Sequence, residues 1–483
     1  MKRQEISRFL TYIALKTCRE MKGRVPVKTV LHDYDVYPKV FPVGKEVAVT
    51  IRPLGDHAAF REPEHMTLNI FGLDDGVPRY YELSTNGQSV PFFCGADGCI
   101  RFRHAFEKEQ RYFLRLLDKE TGKKLHEFCV YAVDEDLCGR YPFVGDLHMH
   151  TCRSDGKQAP AIVCADYRRH GYDFMVISDH RRYYPSLEAI AAYKDVPIEL
   201  CIVPGEEVHM PNTPGFVNDV HIVNFGGRYS VNALVDDVQI AEVGDAPQTR
   251  SYEGFPCPEV RSYEAFREEI MALAETLDIP EDVEKFCYAC CYWVFEQIRK
   301  AEGLGIFAHP YWVNDVYHVP ERVLNYIFEQ QPFDAFEVLG GESYYEQNGF
   351  QTLRYYDLRA KGMDFPIVGS TDSHSSVNNA NAHVASTMVF ARGNERASLI
   401  EAVKSKYSVA IDGVSAEYRL VGDFRLARYA CFLLEEFFPL HDELCFEEGR
   451  AMKDYACGEK DARDILTVLC GRMKRQREKY FAF

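Results

Sequence analysis

The chain lacks a basic block, an apolar run long enough to span a bilayer, a paired-cysteine framework, and any internal repeat or low-complexity tract. Each absence narrows the function. The 56 Lys and Arg are outnumbered by 73 Asp and Glu, for a formal charge of −17. No stretch is therefore expected to track a phosphate backbone, and nucleic acid is a poor partner. An acidic chain still accepts a phosphorylated ligand where metal ions reverse the local charge. A membrane span needs about 20 consecutive apolar residues, and none is present. The opening MKRQEISRFLTYIALKTCREMKGRV is basic and partly apolar, but Glu5, Arg8, Lys16 and Arg19 interrupt it. It has no continuous apolar core or small-residue cleavage site, so an amphipathic helix, no membrane partner and a cytoplasmic location are expected. The spacing of the 16 cysteines shows no paired CxxC framework. Cys287, Cys290 and Cys291 come closest, but they sit in the helical-looking run EKFCYACCYWVFEQIRK and read as buried thiols in a reducing compartment.

What is present is a long chain with ample core material. It has 483 residues, 46% of them hydrophobic. At about 150 residues per domain this suggests roughly three domains, or one large domain with additions. From about residue 24 to 135, runs such as KEVAVTIRP, HMTLNIFGL and RYFLRLLD alternate or run apolar between turn-like DDG, TNG and ADG. Residues 1–139 are read as a helix plus a small antiparallel β-domain, a sandwich.

The character changes after Gly139. Seven short apolar runs follow, several succeeded by helical patterns: 143–150, 173–180, 200–209, 219–226, 305–312, 335–340 and 366–374. Short buried strands alternating with helices predict a parallel α/β arrangement over 140–412. The span between the fourth and fifth runs is long. Its later part, 281–302, reads as a crossover helix, and 228–280 reads as an inserted lid or cap. Residues 413–483 read as a helical extension. Its basic tail GRMKRQREKYFAF is expected to be a solvated face or a packing element.

Six of the seven runs end in, or pass through, His, Asp or Glu, and strand ends are where α/β sheets carry chemistry. In DLHMHTCRSDG, His148 and His150 share one face of a strand and Asp155 lies on the following loop. A lone HxH is a weak signal. Repetition strengthens it: His180 closes MVISDH, Glu207 sits in PGEEVH, His221 begins HIVNFG, His309 ends GIFAHP, and Asp372 and His374 form a second i, i+2 pair. Imidazole and carboxylate donors without thiolate suit Zn, Mn or Fe alike.

The order DLHxHTxxSDG, SDH, GxE, HIxxFG, AHP, DSH resembles the polymerase-and-histidinol-phosphatase (PHP) superfamily over roughly residues 143–412. The resemblance implies a distorted seven-stranded (β/α) barrel of PHP type. It implies three divalent metal ions and hydrolysis of a phosphate ester through a metal-activated hydroxide. It assigns His148, His150, Glu207 and Asp372 to a first metal, and His221 and His309 to a second, bridged by Glu207. Asp155, His180 and His374 fall to a third. Glu207, Asp372 and His374 are the residues expected to carry the chemistry. The family's Glu lies two residues after a Gly, here Gly205, which favours Glu207 over Glu206. His209 lies off the matched pattern but is a further candidate to touch metal or substrate.

Other neighbours have two readings. Asp146 and Asp179 either orient ligand imidazoles or cap the turn beside them. Arg153, Arg181 and Arg182 either clamp a phosphate or are solvated loop residues. Glu337 either faces the site or pairs structurally. Tyr311, Trp312 and His318 either shape the pocket mouth or pack the loop. The expected partner is a phosphorylated small molecule. Rival readings are amide or lactone hydrolysis in the same barrel, a nuclease, and a scaffold without catalysis.

Overall fold

The computed structural model describes residues 28–75, 87–209, 211, 220–236, 250–340, 345–376, 385–413 and 419–483. The expected amphipathic helix at the start of the chain, and residues 237–249 of the expected cap, lie outside these. Among the described residues no helix is long and apolar enough to cross a membrane.

The fold is mixed α/β. Its first part is two facing sheets. Strands Tyr34–Tyr37, Glu46–Pro53, Ile100–Ala105 and Phe93–Cys94 form one, all antiparallel. The other has the order Val40–Pro42, Lys124–Val133, Gln110–Asp118, Met66–Gly72, Gln88–Val90. The alternation in RYFLRLLD has the predicted consequence: Tyr112, Leu114 and Leu116 point inward. They meet Val49, Ile51 and Phe102 of the first sheet in one apolar cluster, which makes a sandwich.

All seven apolar runs of the next part form strands, but they do not close into one barrel. They divide between two sheets. The six-stranded sheet runs Cys201–Val203, Phe174–Val176, Tyr141–Asp146, Ala385–Ala391, Ser408–Asp412, Arg419–Val421. The five-stranded sheet runs Gly205–Val208, Ile222–Phe225, Leu304–Phe307, Ala335–Leu339, Ile367–Gly369. The third run supplies a strand to each, because Pro204 has no N–H and interrupts pairing between Val203 and Gly205. A side chain at Gly205 would stand 2.4 Å from Val176 Cγ2 and from the Asn224 carbonyl, so only glycine allows the two sheets to approach there. At the other seam, hydroxyls replace a backbone ladder. Thr387 Oγ1 accepts from Gly369 N (2.8 Å) and donates to Gly369 O (2.7 Å), and Ser408 Oγ donates to Ile367 O (2.8 Å). Isolated bridges Met149–Ser373 and His180–Glu207 connect the sheets at the rim. Phe143, Phe174, Val176 and Val203 of one sheet share a core with Val223, Phe225, Ile306 and Val368 of the other.

The expected parallel arrangement holds only in part. Tyr141–Asp146, Phe174–Val176 and Cys201–Val203 are parallel, as are Leu304–Phe307, Ala335–Leu339 and Ile367–Gly369. Ile222–Phe225 is antiparallel to both its neighbours, and Ala385–Ala391 to the first strand. The reversal has a functional consequence. His148, His180, His309 and Asp372 follow their strands, whereas His221 precedes its own. A reversed strand starts where its neighbours end, so His221 reaches the same rim.

Helices Pro160–Arg169, Tyr184–Tyr193, Glu321–Gln330 and Tyr345–Ala360 connect successive strands. Helix Lys285–Lys300 precedes the fifth run, with Cys287, Cys290 and Cys291 buried on it. In the cap span, helix Tyr263–Thr276 buries Phe266, Ile270 and Ala274 against that helix, and Trp293 Nε1 donates to Glu269 Oε1 at 2.9 Å. The last four helices, Phe424–Glu436, Phe438–Ala456, Ala462–Leu469 and Arg472–Tyr480, bind the parts together. Tyr429, Phe432 and Leu433 pack on Tyr131 and Val133 of the sandwich and on Met388 and Phe390 of the six-stranded sheet. The basic tail is a packing element at its end: Tyr480 and Phe481 are buried, and Ala482 N donates to Val40 O at 2.9 Å.

Candidate metal centre

The two i, i+2 pairs are held against each other by backbone. Asp372 N donates to His148 O (2.9 Å) and His150 N to Ser373 O (2.8 Å). Buried Asp146 ties the same segments: it accepts from His148 N (3.2 Å), Thr371 N (3.1 Å) and Thr371 Oγ1 (2.6 Å). Asp179 accepts from Thr151 N (2.9 Å), Thr151 Oγ1 (2.7 Å) and Ser154 N (3.0 Å), fixing the loop that presents Asp155. Both aspartates therefore cap backbone rather than imidazoles. Asp372 itself sits at φ 49°, a left-handed conformation that costs a non-glycine residue energy and marks a position whose side chain must point one way.

Glu207 is the centre of the arrangement. It is fully buried, and six imidazoles converge on its carboxylate. His180 Nδ1 (2.5 Å), His209 Nε2 (3.3 Å), His148 Nε2 (3.5 Å) and His150 Nε2 (3.6 Å) face Oε2. His221 Nδ1 (2.8 Å) and His309 Nε2 (3.5 Å) face Oε1. Asp372 adds a second carboxylate, 2.8 Å from His150 Nε2, 3.3 Å from His148 Nε2 and 3.7 Å from His309 Nε2. Asp155 lies 3.4 Å from His180 Nε2 and 3.3 Å from His374 Nε2. Ligand-type atoms cluster tightly in four sets: His148, His150 and Asp372; His148, Glu207 and His309; His150, Asp155, His180 and His374; and His180, Glu207 and His209. All nine residues marked from sequence as metal ligands thus lie in one constellation, and His209 joins it.

Electrostatics show how strongly the groups are coupled. Burial would raise the Glu207 carboxyl, but His180, His221, His209 and His148 hold it well below the usual carboxylate range. Burial opposes charge on His180, yet Glu207 and Asp155 push it up to about 10. Burial and His180 together lower His150 to about 4, which keeps its lone pair available.

The donor set fits divalent cations. Neither oxygen of Glu207 is in hydrogen-bond geometry with a donor among the described residues, nor are His148 Nε2, His150 Nδ1 and His221 Nδ1 with any partner. A buried carboxylate left this way costs several kcal/mol unless a cation compensates it. Converging imidazole nitrogens and carboxylate oxygens, without thiolate, are what Zn, Mn or Fe require. Among the described residues, one other trio, Asp173, His441 and Cys445, brings ligand-type atoms together. There Arg168 Nη1 lies 3.2 Å from the Asp173 oxygen that His441 Nε2 contacts at 2.9 Å, so positive charge is already supplied and the trio is an ion-pair network.

Of the residues with two readings, Glu337 turns toward the site. Nδ1 of His148 donates to its Oε1 (3.1 Å) and His309 N to its Oε2 (3.0 Å). The sequence signal was a lone carboxylate inside the apolar strand AFEVL. Glu206 points the other way and accepts from Val231 N (2.5 Å), Ser230 Oγ (2.8 Å), and Asn232 Nδ2 (2.9 Å). Arg153 is engaged by Glu188 at 2.8 and 2.7 Å. Arg181 adopts φ 56° and its N–H donates to Glu207 O (3.0 Å). Arg182 keeps a buried Nε without a hydrogen-bond partner among the described residues. His318 stacks edge-on against Trp312 (3.9 Å) and faces His221 (4.9 Å), whereas Tyr311 contacts Tyr317 and Phe350.

No family model matches the chain, and no curated protein matches it. Solved structures resemble parts of it. A two-domain protein of Bacteroides vulgatus, described as containing a PHP-like metal-dependent phosphoesterase, is 14% identical, with a TM-score of 0.35 over 56% of this chain and 65% of its own. The chain thus spans less than two thirds of that protein. A protein of Bifidobacterium adolescentis described as a metal-dependent phosphoesterase is 15% identical, with a TM-score of 0.31 over 50% of this chain and 90% of its own. An amidohydrolase of Chromobacterium violaceum, with bound sulfate and no metal, is 16% identical, with a TM-score of 0.28 over 49% of this chain and 89% of its own. Likeness at this level assigns no activity to the chain.

Proposed function

We propose that the chain is a metal-dependent phosphoesterase acting on a phosphorylated small molecule. The observation that carries this is Glu207: a fully buried carboxylate, with no hydrogen-bond donor in geometry among the described residues, inside a ring of six imidazoles and beside Asp372. In this reading His148, His150, Glu207 and Asp372 would hold one ion, His221 and His309 with Glu207 a second, and Asp155, His180 and His374 a third. Bound there, divalent ions supply the positive charge that a phosphate dianion needs and lower the pKa of water toward neutrality.

The chain's own groups do the rest. Glu207 and Asp372 remain ionised at neutral pH because the surrounding imidazoles hold their carboxyls low. Glu337 fixes the proton of His148 on Nδ1, so Nε2 points its lone pair into the site. Asp146 and Asp179 hold the two loops that carry the aspartates and histidines. Arg182, whose buried Nε has no hydrogen-bond partner among the described residues, would donate to phosphate oxygens.

The test is metal content after purification, followed by hydrolysis of nitrophenyl phosphate and of its bis ester. At least one equivalent of transition metal and turnover that collapses in His148→Ala are expected. Less than one equivalent, or undiminished turnover in the variant, sinks the reading. Turnover of an amide or lactone but of neither phosphate ester moves the chain to the other hydrolase class.

A further inference from the structure

We infer that His209 is a positioning residue: its Nε2 accepts the Nδ1 proton of His180, so that His180 presents Nε2 to the Asp155–His374 cluster. This rests on the metal-site reading above. The two rings of His180 and His209 meet at Nδ1 and Nε2, 3.1 Å apart and in hydrogen-bond geometry. The opposite nitrogen of His180 faces Asp155 at 3.4 Å, beside His374. A neutral imidazole that offers Nε2 as a ligand must carry its proton on Nδ1, and that proton needs an acceptor. Two groups stand within reach. Glu207 Oε2 is nearer, at 2.5 Å, but it is out of hydrogen-bond geometry. His209 Nε2 is in geometry. With His209 as acceptor, both oxygens of Glu207 stay available to the ions it faces.

His209 is itself held for the task. Its N–H donates to Asn232 Oδ1 at 3.1 Å, and Asn232 Nδ2 donates to Glu206 Oε2 (2.9 Å) and to Glu207 O (3.3 Å). Asn232 therefore sets His209 and Glu207 in one register. The His209 ring stacks on His221, centroids 3.9 Å apart and 25° from parallel, which leaves the ring little freedom to turn its edge away from His180.

The experiment compares His209→Phe, which keeps a flat ring on His221 but no acceptor, with His209→Gln, which restores an acceptor oxygen. Mn(II) or Zn(II) alone is titrated against a chelator, and bound equivalents are counted. One site is expected to weaken by about 10–100-fold in the Phe variant, the usual effect of removing a group behind a ligand histidine, with the other sites unchanged. The Gln variant should return to within a few-fold of the original protein. Should the Phe variant not fold, His209→Leu carries the same comparison. Original affinity in the Phe or Leu variant overturns the inference. So does a Gln variant as impaired as Phe, because the ring nitrogen would then be a ligand. If the unaltered protein binds no metal, the functional reading fails with it; if it binds metal and Phe has no effect, only this inference fails.

Discussion

Glu337 Oε1 lies 3.1 Å from Nδ1 of His148, while Nε2 of the same ring faces Asp372 at 3.3 Å and Glu207 at 3.5 Å. A carboxylate behind an imidazole fixes its tautomer and raises its basicity toward a metal. Glu337 also accepts from His309 N, so it braces two of the histidines at once. Glu337→Gln, which keeps the shape but loses the charge, should weaken metal binding by about 10–100-fold. Chelator competition measures it, and unchanged affinity would show that Glu337 only packs the strand.

This relationship was not readable in the sequence, and the reason is physical. A carboxylate in AFEVL announces that something must compensate it, but its partner lies 189 positions away, and only strand pairing brings the two together. Asp146 was ambiguous for the same cause, since its partner Thr371 is 225 positions distant. Local chemistry was legible: each apolar run became a strand, and all nine ligand candidates share one rim. Pairing was not. Pro204 is visible in the chain, but that it splits one run between two sheets depends on which neighbours the halves find. Nothing in HIVNFG itself marks the reversal of Ile222–Phe225, and the alternation of strands and helices elsewhere favoured parallel neighbours.

Glu207→Gln separates the central carboxylate from its neighbour. Glutamine keeps the volume but removes the charge that six imidazoles surround, so at least one equivalent of metal should be lost. Turnover should fall by about 100–1,000-fold, the scale for removing one group that stabilises charge in the transition state. Glu206→Gln should keep metal and turnover and lower stability by about 1–3 kcal/mol, because the donors of Ser230, Val231 and Asn232 lose a charged acceptor. Metal counts, turnover and denaturant melts distinguish the two. Equal metal loss in both variants counts against the assignment.

Arg182 and Arg153 should differ in kinetics. Arg153 is committed to Glu188, whereas the buried Nε of Arg182 has no partner among the described residues. A hydrogen bond to a charged group contributes about 1.5–3 kcal/mol, so Arg182→Ala should lower kcat/KM for a phosphomonoester by about 10–100-fold. Arg153→Ala should lower it by less than about threefold. The reverse order would place the phosphate on the other side of the rim.

Removing metal should also cost stability. Among the described residues, Glu207 and three ring nitrogens of the site have no hydrogen-bond partner. Binding to the folded state alone adds about 2.7 kcal/mol per site when free metal is 100 times Kd. Unfolding midpoints with Mn(II) or Zn(II) should therefore exceed those in chelator. Equal midpoints over a thousandfold range of metal concentration would argue against a built site.

Far from the metal centre, His441 and Asp173 predict a pH-dependent contribution to stability. Both are buried, with Nε2 and Oδ1 2.9 Å apart, and the contact fastens helix Phe438–Ala456 to the start of the second strand of the six-stranded sheet. Burial disfavours the imidazolium, but Asp173 pushes His441 well above 6.5. Burial likewise disfavours the carboxylate, but His441, Arg168 and Arg477 hold Asp173 at about 2. A raised histidine stabilises fully below its unfolded pKa, about 6.5, and loses that contribution as pH rises through the folded value. A lowered aspartate stabilises fully above about 4 and loses its contribution as pH falls through 2. The pair is therefore at full strength between about pH 4 and 6.5. Removing one partner of a buried pair costs about 3–5 kcal/mol, so His441→Gln should be destabilised by that order at pH 5.5 in denaturant melts. The gap to the unaltered protein should narrow at strongly alkaline pH, where the imidazolium is lost in the native state. A gap of the same size at every pH would mean that His441 acts by neutral hydrogen bonding and packing alone.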